Sequence, residues 1–105
     1  MLLTGSSPIL PSARLGSTLT YIPPLTQDFV PHLYLFGGMD EKGPCNDHYF
    51  YNLDTQRWTE ASGDSKPCAR ESHTAILWGR KVVIFGGTGA KNERLNDVAT
   101  YDVGK

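Results

Sequence analysis

The chain has 105 residues, ten of them Lys or Arg and eleven Asp or Glu, for a formal charge of -1. That balance gives no bulk attraction for nucleic acid or an anionic membrane surface, and no apolar run reaches the length that spans a bilayer. Two cysteines, Cys45 and Cys68, are too few for a secreted disulfide framework, and no Asn-x-Ser/Thr sequon occurs, so an intracellular, cytoplasmic protein is expected.

Taken in chain order, the sequence repeats itself. Pro11-Ser12-Ala13-Arg14 returns as Pro67-Cys68-Ala69-Arg70, 56 residues later, and Leu33-Tyr34-Leu35-Phe36-Gly37-Gly38 returns as Val82-Val83-Ile84-Phe85-Gly86-Gly87 after 49. Asn46-Asp47 returns as Asn96-Asp97, and Tyr51-Asn52 as Tyr101-Asp102, both after 50. A period near fifty signals a stacked array of small units. The larger first shift places about seven extra residues in the first copy, around 23–31, where prolines and polar residues break the pattern.

Each copy divides into short β segments. The predicted strands are 17–22, 33–36, 46–52 and 57–60 in the first, then 72–78, 81–86 and 96–102 in the second. No ten-residue stretch has helical periodicity, so the class is all-β and antiparallel. The runs ending at Phe36 and Phe85 are apolar at successive positions, as in a sheet covered on both faces. The paired glycines that follow them suit positive φ and close backbone approach.

The ordered set Phe36-Gly37-Gly38, Asn46-Asp47, Tyr51 and Trp58 resembles one motif of the kelch-repeat β-propeller family. Pro67, Ala69, Arg70, His73, Phe85-Gly86-Gly87, Asn96-Asp97 and Tyr101-Asp102 resemble most of a second. The resemblance implies one propeller blade per motif and, most often, protein–protein binding through loops on one rim. It gives structural parts to Gly37, Gly38, Tyr51, Trp58, Arg70, His73, Gly86, Gly87 and Tyr101. The first copy departs from the motif at Gly16-Ser17, where the second has Ser72-His73.

The expected organisation is therefore a remnant of a preceding blade strand and linker at 1–10, a first repeat at 11–62 and a second at 63–105 lacking its last strand. Met1 to Thr4 precede Gly5 much as Trp58 to Ser62 precede Gly63, which suggests the remnant. Propellers close with about four to eight blades, so an incomplete propeller is expected, one part of a larger object. Its two outer sheet faces and an unpaired strand edge at 96–102 predict self-association of the isolated chain.

Other chemistry finds little support. Cys45, His48, Cys68 and His73 could supply four zinc ligands, but both histidines fall on motif strand positions and the spacing lacks two tight pairs. Gly86 to Lys91 matches neither phosphate-loop pattern and precedes no helix. Asp40 with Glu41, or Glu93 with Asp97, could pair as acid and base, yet their surroundings suggest solvated loop charge. No nucleophile elbow frames a serine. No metal, cofactor or catalytic residue is expected. Trp58, Tyr51 and Tyr101 read as packing aromatics. Trp78, beside a Gly79 turn, either packs between blades or stands exposed at a rim, the first favoured because large aromatics are mostly buried.

Recognition is expected in the loops. The candidates are Asp40, Glu41 and Lys42 in the first copy, Lys91, Asn92, Glu93 and Arg94 at the equivalent place in the second, and Arg14, Arg70 and Glu71 where the chain enters each first strand. For Arg14 and Arg70 the alternative is a hydrogen-bonded tie between neighbouring strands, since they occupy equivalent positions. The expected function is a non-catalytic scaffold that presents loops to a protein partner. The rival is a propeller enzyme of the copper-oxidase or sugar-epimerase type, because fold does not fix function.

Overall fold

Apolar β-branched and aromatic runs punctuated by glycine give two antiparallel sheets stacked face to face. The computed structural model describes residues 9–61 and 67–104. The first sheet has the order β1-β2-β5-β6, formed by β1 (Thr18–Ile22), β2 (His32–Phe36), β5 (His48–Asn52) and β6 (Arg57–Glu60). Between β2 and β5 a small hairpin joins β3 (Met39–Asp40) to β4 (Gly43–Pro44). The second sheet runs β11-β9-β8, from β8 (Thr74–Trp78), β9 (Lys81–Phe85) and β11 (Val98–Asp102), while β7 (Arg70–Glu71) pairs with β10 (Thr88–Gly89). All seven expected strands are present, within two residues of the expected bounds. Among the described residues there is no helix. The expected stub strand at Met1 to Thr4 lies outside the described residues.

Register decides which side chains meet. Tyr34 lies opposite Thr20 and Phe50, and Phe36 opposite Thr18 and His48, so these share the face turned to the second sheet. From the second sheet Ala75, Leu77, Val82, Ile84 and Tyr101 face back. Ile22, Tyr34, Phe36, Val82 and Ile84 are fully buried there. Tyr34 stacks flat on Tyr101 across the interface at 5.2 Å, with 7° between ring planes. Tyr34 also shares its hydroxyl proton with His48 Nδ1 at 2.6 Å, which satisfies two polar groups inside the apolar layer. Burial, and then Tyr101, push the Tyr34 phenol well above its ordinary range, so it stays neutral.

Between β1 and β2 the chain takes nine residues, 23–31, whereas β8 and β9 are joined by Gly79-Arg80 alone. The longer connection folds inwards: Leu25 and Phe29 pack on the interface core, and Phe29 meets His32 edge-on.

The far faces are also apolar. Leu19, Leu35 and Tyr49 share one cross-strand row of the first sheet, and Tyr21, Leu33, Tyr51 and Trp58 the next. Tyr51 and Trp58 are direct partners with rings 4.9 Å apart, although Trp58 is half-buried. On the second sheet Ile76, Trp78, Phe85 and Val98 are more than half exposed. Trp78 therefore does not pack between the two blades. It is 72% exposed, because its register partner Lys81 sits on the outward face.

Candidate functional site

Each antiparallel turn returns the chain to one of two rims. The loop entering β1, the β2–β5 loop, the segment before β8 and the β9–β11 loop all emerge at the rim that holds the ends of β2 and β9. Both sequence-predicted classes of connection thus converge on one rim. They are joined there in the same way twice. Leu15 bridges Met39 in the first repeat, and Glu71 pairs with Thr88 at the equivalent place in the second.

The paired glycines make this junction possible. Gly37 and Gly38 have φ of 71° and 100°, and Gly86 and Gly87 of 71° and 93°. A Cβ on Gly37 would lie 2.7 Å from the Arg70 carbonyl oxygen, and one on Gly87 2.6 Å from that of Glu71. A side chain at either position would clash with backbone as well as strain φ. Across the two blades Gly38 N donates to the Arg70 carbonyl and Ser72 N to the Gly16 carbonyl, each at 2.8 Å.

Under the loops sit two ion pairs. Arg14 Nη1 donates to Asp47 Oδ1 at 2.6 Å and to the Gly37 carbonyl at 3.2 Å, its side chain 4% exposed. Arg70 Nη1 donates to Asp97 Oδ1 at 2.7 Å and to the Gly86 carbonyl at 3.1 Å, its side chain 1% exposed. Second nitrogens close both forks, Nη2 to Asp47 Oδ2 and to Asp97 Oδ2. Asp97 is held below the ordinary carboxylate range by the Arg70 hydrogen bonds. Burial works against the Asp47 charge, yet the Arg14 hydrogen bonds and charge outweigh it, with the same downward result.

Arg14 and Arg70 are therefore removed from the exposed loop set. Each guanidinium is enclosed and committed to strand-end carbonyls and an aspartate, which is the tie that their equivalent positions suggested. The aspartates 33 and 27 residues downstream complete it. That pairing was missed in the sequence, although both Asp47 and Asp97 recur in the repeat.

The remaining loop candidates stay at the surface. Glu41, Lys42, Lys91, Asn92, Glu93 and Arg94 are exposed, while Asp40 and Glu71 are half-exposed. Asp40 accepts from Ser12 Oγ at 2.7 Å and from the Lys42 amide at 2.9 Å, and these bonds hold its carboxyl below the ordinary range. Glu93 accepts from the Lys91 amide at 2.9 Å, a similar local turn. In the two carboxylate pairs considered for acid–base work, Asp40 and Asp97 are both shifted downwards.

His48 and His73 are buried and occupied within the fold. His73 Nε2 lies 2.8 Å from Thr18 Oγ1, and its ring meets Phe36 edge-on at 5.2 Å. Its Nδ1 is buried without a well-formed hydrogen bond. Burial, then the Arg70 charge, push its pKa down, over weaker opposing pulls from the Phe36 backbone and Glu71. Cys68 Sγ sits 3.2 Å from Arg70 Nη2, and Cys45 Sγ contacts the Gly43 carbonyl. Among the described residues no group of three or more His, Cys, Asp or Glu side chains is placed to hold a metal.

Comparison with known proteins agrees with this geometry. Residues 5–105 match the family model described as the KLHDC2/KLHL20/DRC7 Kelch-repeats domain. Similar proteins include Kelch domain-containing protein 3 of Bos taurus, 33% identical over 103 residues, covering 96% of this chain and 24% of that protein. Protein ral2 of Schizosaccharomyces pombe is 34% identical over 79 residues, covering 67% and 13% respectively. Multiple epidermal growth factor-like domains protein 8 of Homo sapiens is 33% identical over 91 residues, covering 86% of this chain and 3% of that protein. The chain spans a quarter or less of each of these relatives. With two stacked antiparallel blades, repeated glycine pairs and a family match along almost its whole length, the chain belongs to the kelch-repeat family.

Proposed function

We propose that the chain is a non-catalytic recognition module, part of a larger propeller, that binds a protein partner through the loops of one rim. The observation that carries this reading is the division of labour at that rim. Two enclosed arginines, each forked onto an aspartate, hold the loop bases, while the charges at the tips point into solvent. Rigid bases lower the ordering cost of binding, and exposed tips leave side chains free to make contacts. Asp40, Asp47 and Asp97 at this rim are each shifted towards the charged form, which suits fixed charge and hydrogen bonding.

The test is charge reversal on the full-length protein. Glu41→Lys with Arg94→Glu is expected to weaken a purified partner complex, while reversal of Asp54 and Arg80 at the opposite rim leaves it intact. The reverse pattern would move recognition to the other rim. Stoichiometric copper or iron in the full-length protein would overturn the scaffold reading in favour of an enzyme.

The uncovered faces support the placement within a larger ring. Each is the repeat equivalent of one side of the interface already formed. Phe85 stands outward where Phe36 is covered, and Tyr51 faces outward where Tyr101 is stacked. Apolar patches of this kind drive association when left bare. The 105-residue chain alone is expected to sediment above monomer mass and to bind a hydrophobic-surface dye. A dilute monomer that binds no dye would remove this placement.

A further inference from the structure

At the recognition rim the loop entering β1 meets the β3–β4 hairpin around an open groove of about 510 Å³. Its apolar lining comes from Ala13, Leu15 and Met39, and its charged border from Asp40, Glu41 and Glu71. Arg14 also reaches this groove, but its guanidinium is spent on Asp47. Leu15 is 81% exposed and Met39 41%, high values for large apolar side chains that face each other across a backbone bridge. Among the described residues none of the three carboxylates has an ion-pair partner. They are also not gathered closely enough to hold a metal ion.

From this pairing of bare apolar surface with unmatched negative charge we infer that the groove receives a basic, amphipathic peptide segment of a protein partner. This rests on the rim-recognition reading and names the chemistry of its ligand. A Lys or Arg side chain is suited to both halves of the groove. Its aliphatic stem covers Leu15 and Met39, and its cationic head reaches the carboxylate border. Methionine adapts its shape to such stems at little cost. An acidic segment would meet three like charges, and a nucleic acid would meet them with every phosphate. Asp40 is already oriented by Ser12 and by the Lys42 amide, so part of the border is fixed before binding.

The experiment is fluorescence polarisation on the full-length protein with labelled decapeptides that alternate leucine with lysine, glutamate or serine. The lysine peptide binds, more weakly as salt is raised, and the glutamate peptide does not. Glu41→Lys weakens the lysine peptide about fivefold. Leu15→Ser weakens it about tenfold with its salt dependence unchanged. Both side chains are exposed, so neither change disturbs the fold, and Asp54→Lys at the opposite rim serves as the unaffected control. Failure of the lysine peptide to bind, equal binding of the glutamate peptide, or indifference to both substitutions overturns the inference. Selection of a random decapeptide display library on the same protein separates the two levels. Selected peptides without excess Lys or Arg that are lost on Arg94→Glu overturn the groove and keep rim recognition. Selected peptides indifferent to every rim substitution overturn both.

Discussion

In the first repeat Arg14 bonds Asp47 and the Gly37 carbonyl; in the second Arg70 bonds Asp97 and the Gly86 carbonyl. Gly16 and Ser72 share the left-handed conformation at φ 75° and 60°, although only the first is glycine. Around this common frame the repeats diverge. The loop at 39–45 carries Asp40, Glu41 and Lys42, for a net -1, and its counterpart at 88–95 carries Lys91, Glu93 and Arg94, for a net +1. One repeat joins its first two strands with nine residues and the other with two. One has Ser17 where the other has the buried His73. In the shared frame both guanidiniums are enclosed and the glycine pairs are constrained by backbone; where the rim loops differ, the charged side chains at the tips are in water. The rim loops can therefore vary from one blade to the next without disturbing that frame.

The strongest way to break this comparison is to remove the frame. Arg70→Met is expected to cost about 3 kcal/mol, because it strips a buried guanidinium from Asp97 and leaves the Gly86 carbonyl without that donor. Arg14→Met should cost less, about 2 kcal/mol, since Arg14 is the less enclosed of the two residues. Urea unfolding of each variant measures both. Losses below about 1 kcal/mol in both would show that the frame lies elsewhere.

Trp58→Ala tests the outer part of the first blade. Full enclosure would put its cost at about 3–5 kcal/mol; a half-buried ring beside Tyr51 should cost about 2 kcal/mol. Restoring full enclosure in a longer propeller should move the value upwards, so the same substitution compared in both contexts reports whether a further blade covers this face.

These positions also show what the residues disclose before any coordinates. Strand order and the glycine junction were legible because two copies of one pattern fix alignment as well as type, and the Tyr51–Trp58 pairing because a short turn joins their strands. The inserted length at 23–31 was legible as a shift, but the inward turn of Leu25 and Phe29 was not, because nothing repeats there. Arg14 and Arg70 looked equally suited to binding or tying, since charge alone does not say whether an aspartate is near. At the candidate site the apolar part was overlooked. Leu15 occupies the position of Glu71 in the other repeat, and that exchange of a charge for a bare leucine was its only signal.

His73 sharpens the comparison through pH. Burial and the Arg70 charge hold its folded pKa below the ordinary 6.5, so the unfolded chain takes up a proton that the folded chain refuses. Its contribution is complete above about pH 6.5 and is lost as pH falls from there towards the folded pKa. Asp47 and Asp97, shifted below 3.8, give up theirs only in a lower window. His73→Gln should therefore flatten the fall in urea midpoint between pH 7 and 5 and leave the loss below pH 4. An unchanged slope would mean that the ring is hydrated and that the second repeat gains no pH dependence from the residue that the first lacks.

The smallest expected effect is also the one that separates rim from frame most directly. Lys91 and Arg94 are exposed, and neither side chain has an ion-pair partner among the described residues. Arg94 meets Thr88 through backbone, and the Lys91 amide bonds Glu93, so both contacts survive a change of side chain. Lys91→Glu with Arg94→Glu removes the sign difference between the two loops, yet should change stability by less than about 0.5 kcal/mol. If recognition resides in the tips, the same protein that unfolds normally should lose contacts made by the second loop and bind basic peptides at a second place. A stability loss above about 1 kcal/mol would mean that these charges belong to the frame, and the separation between constant base and variable tip would not hold.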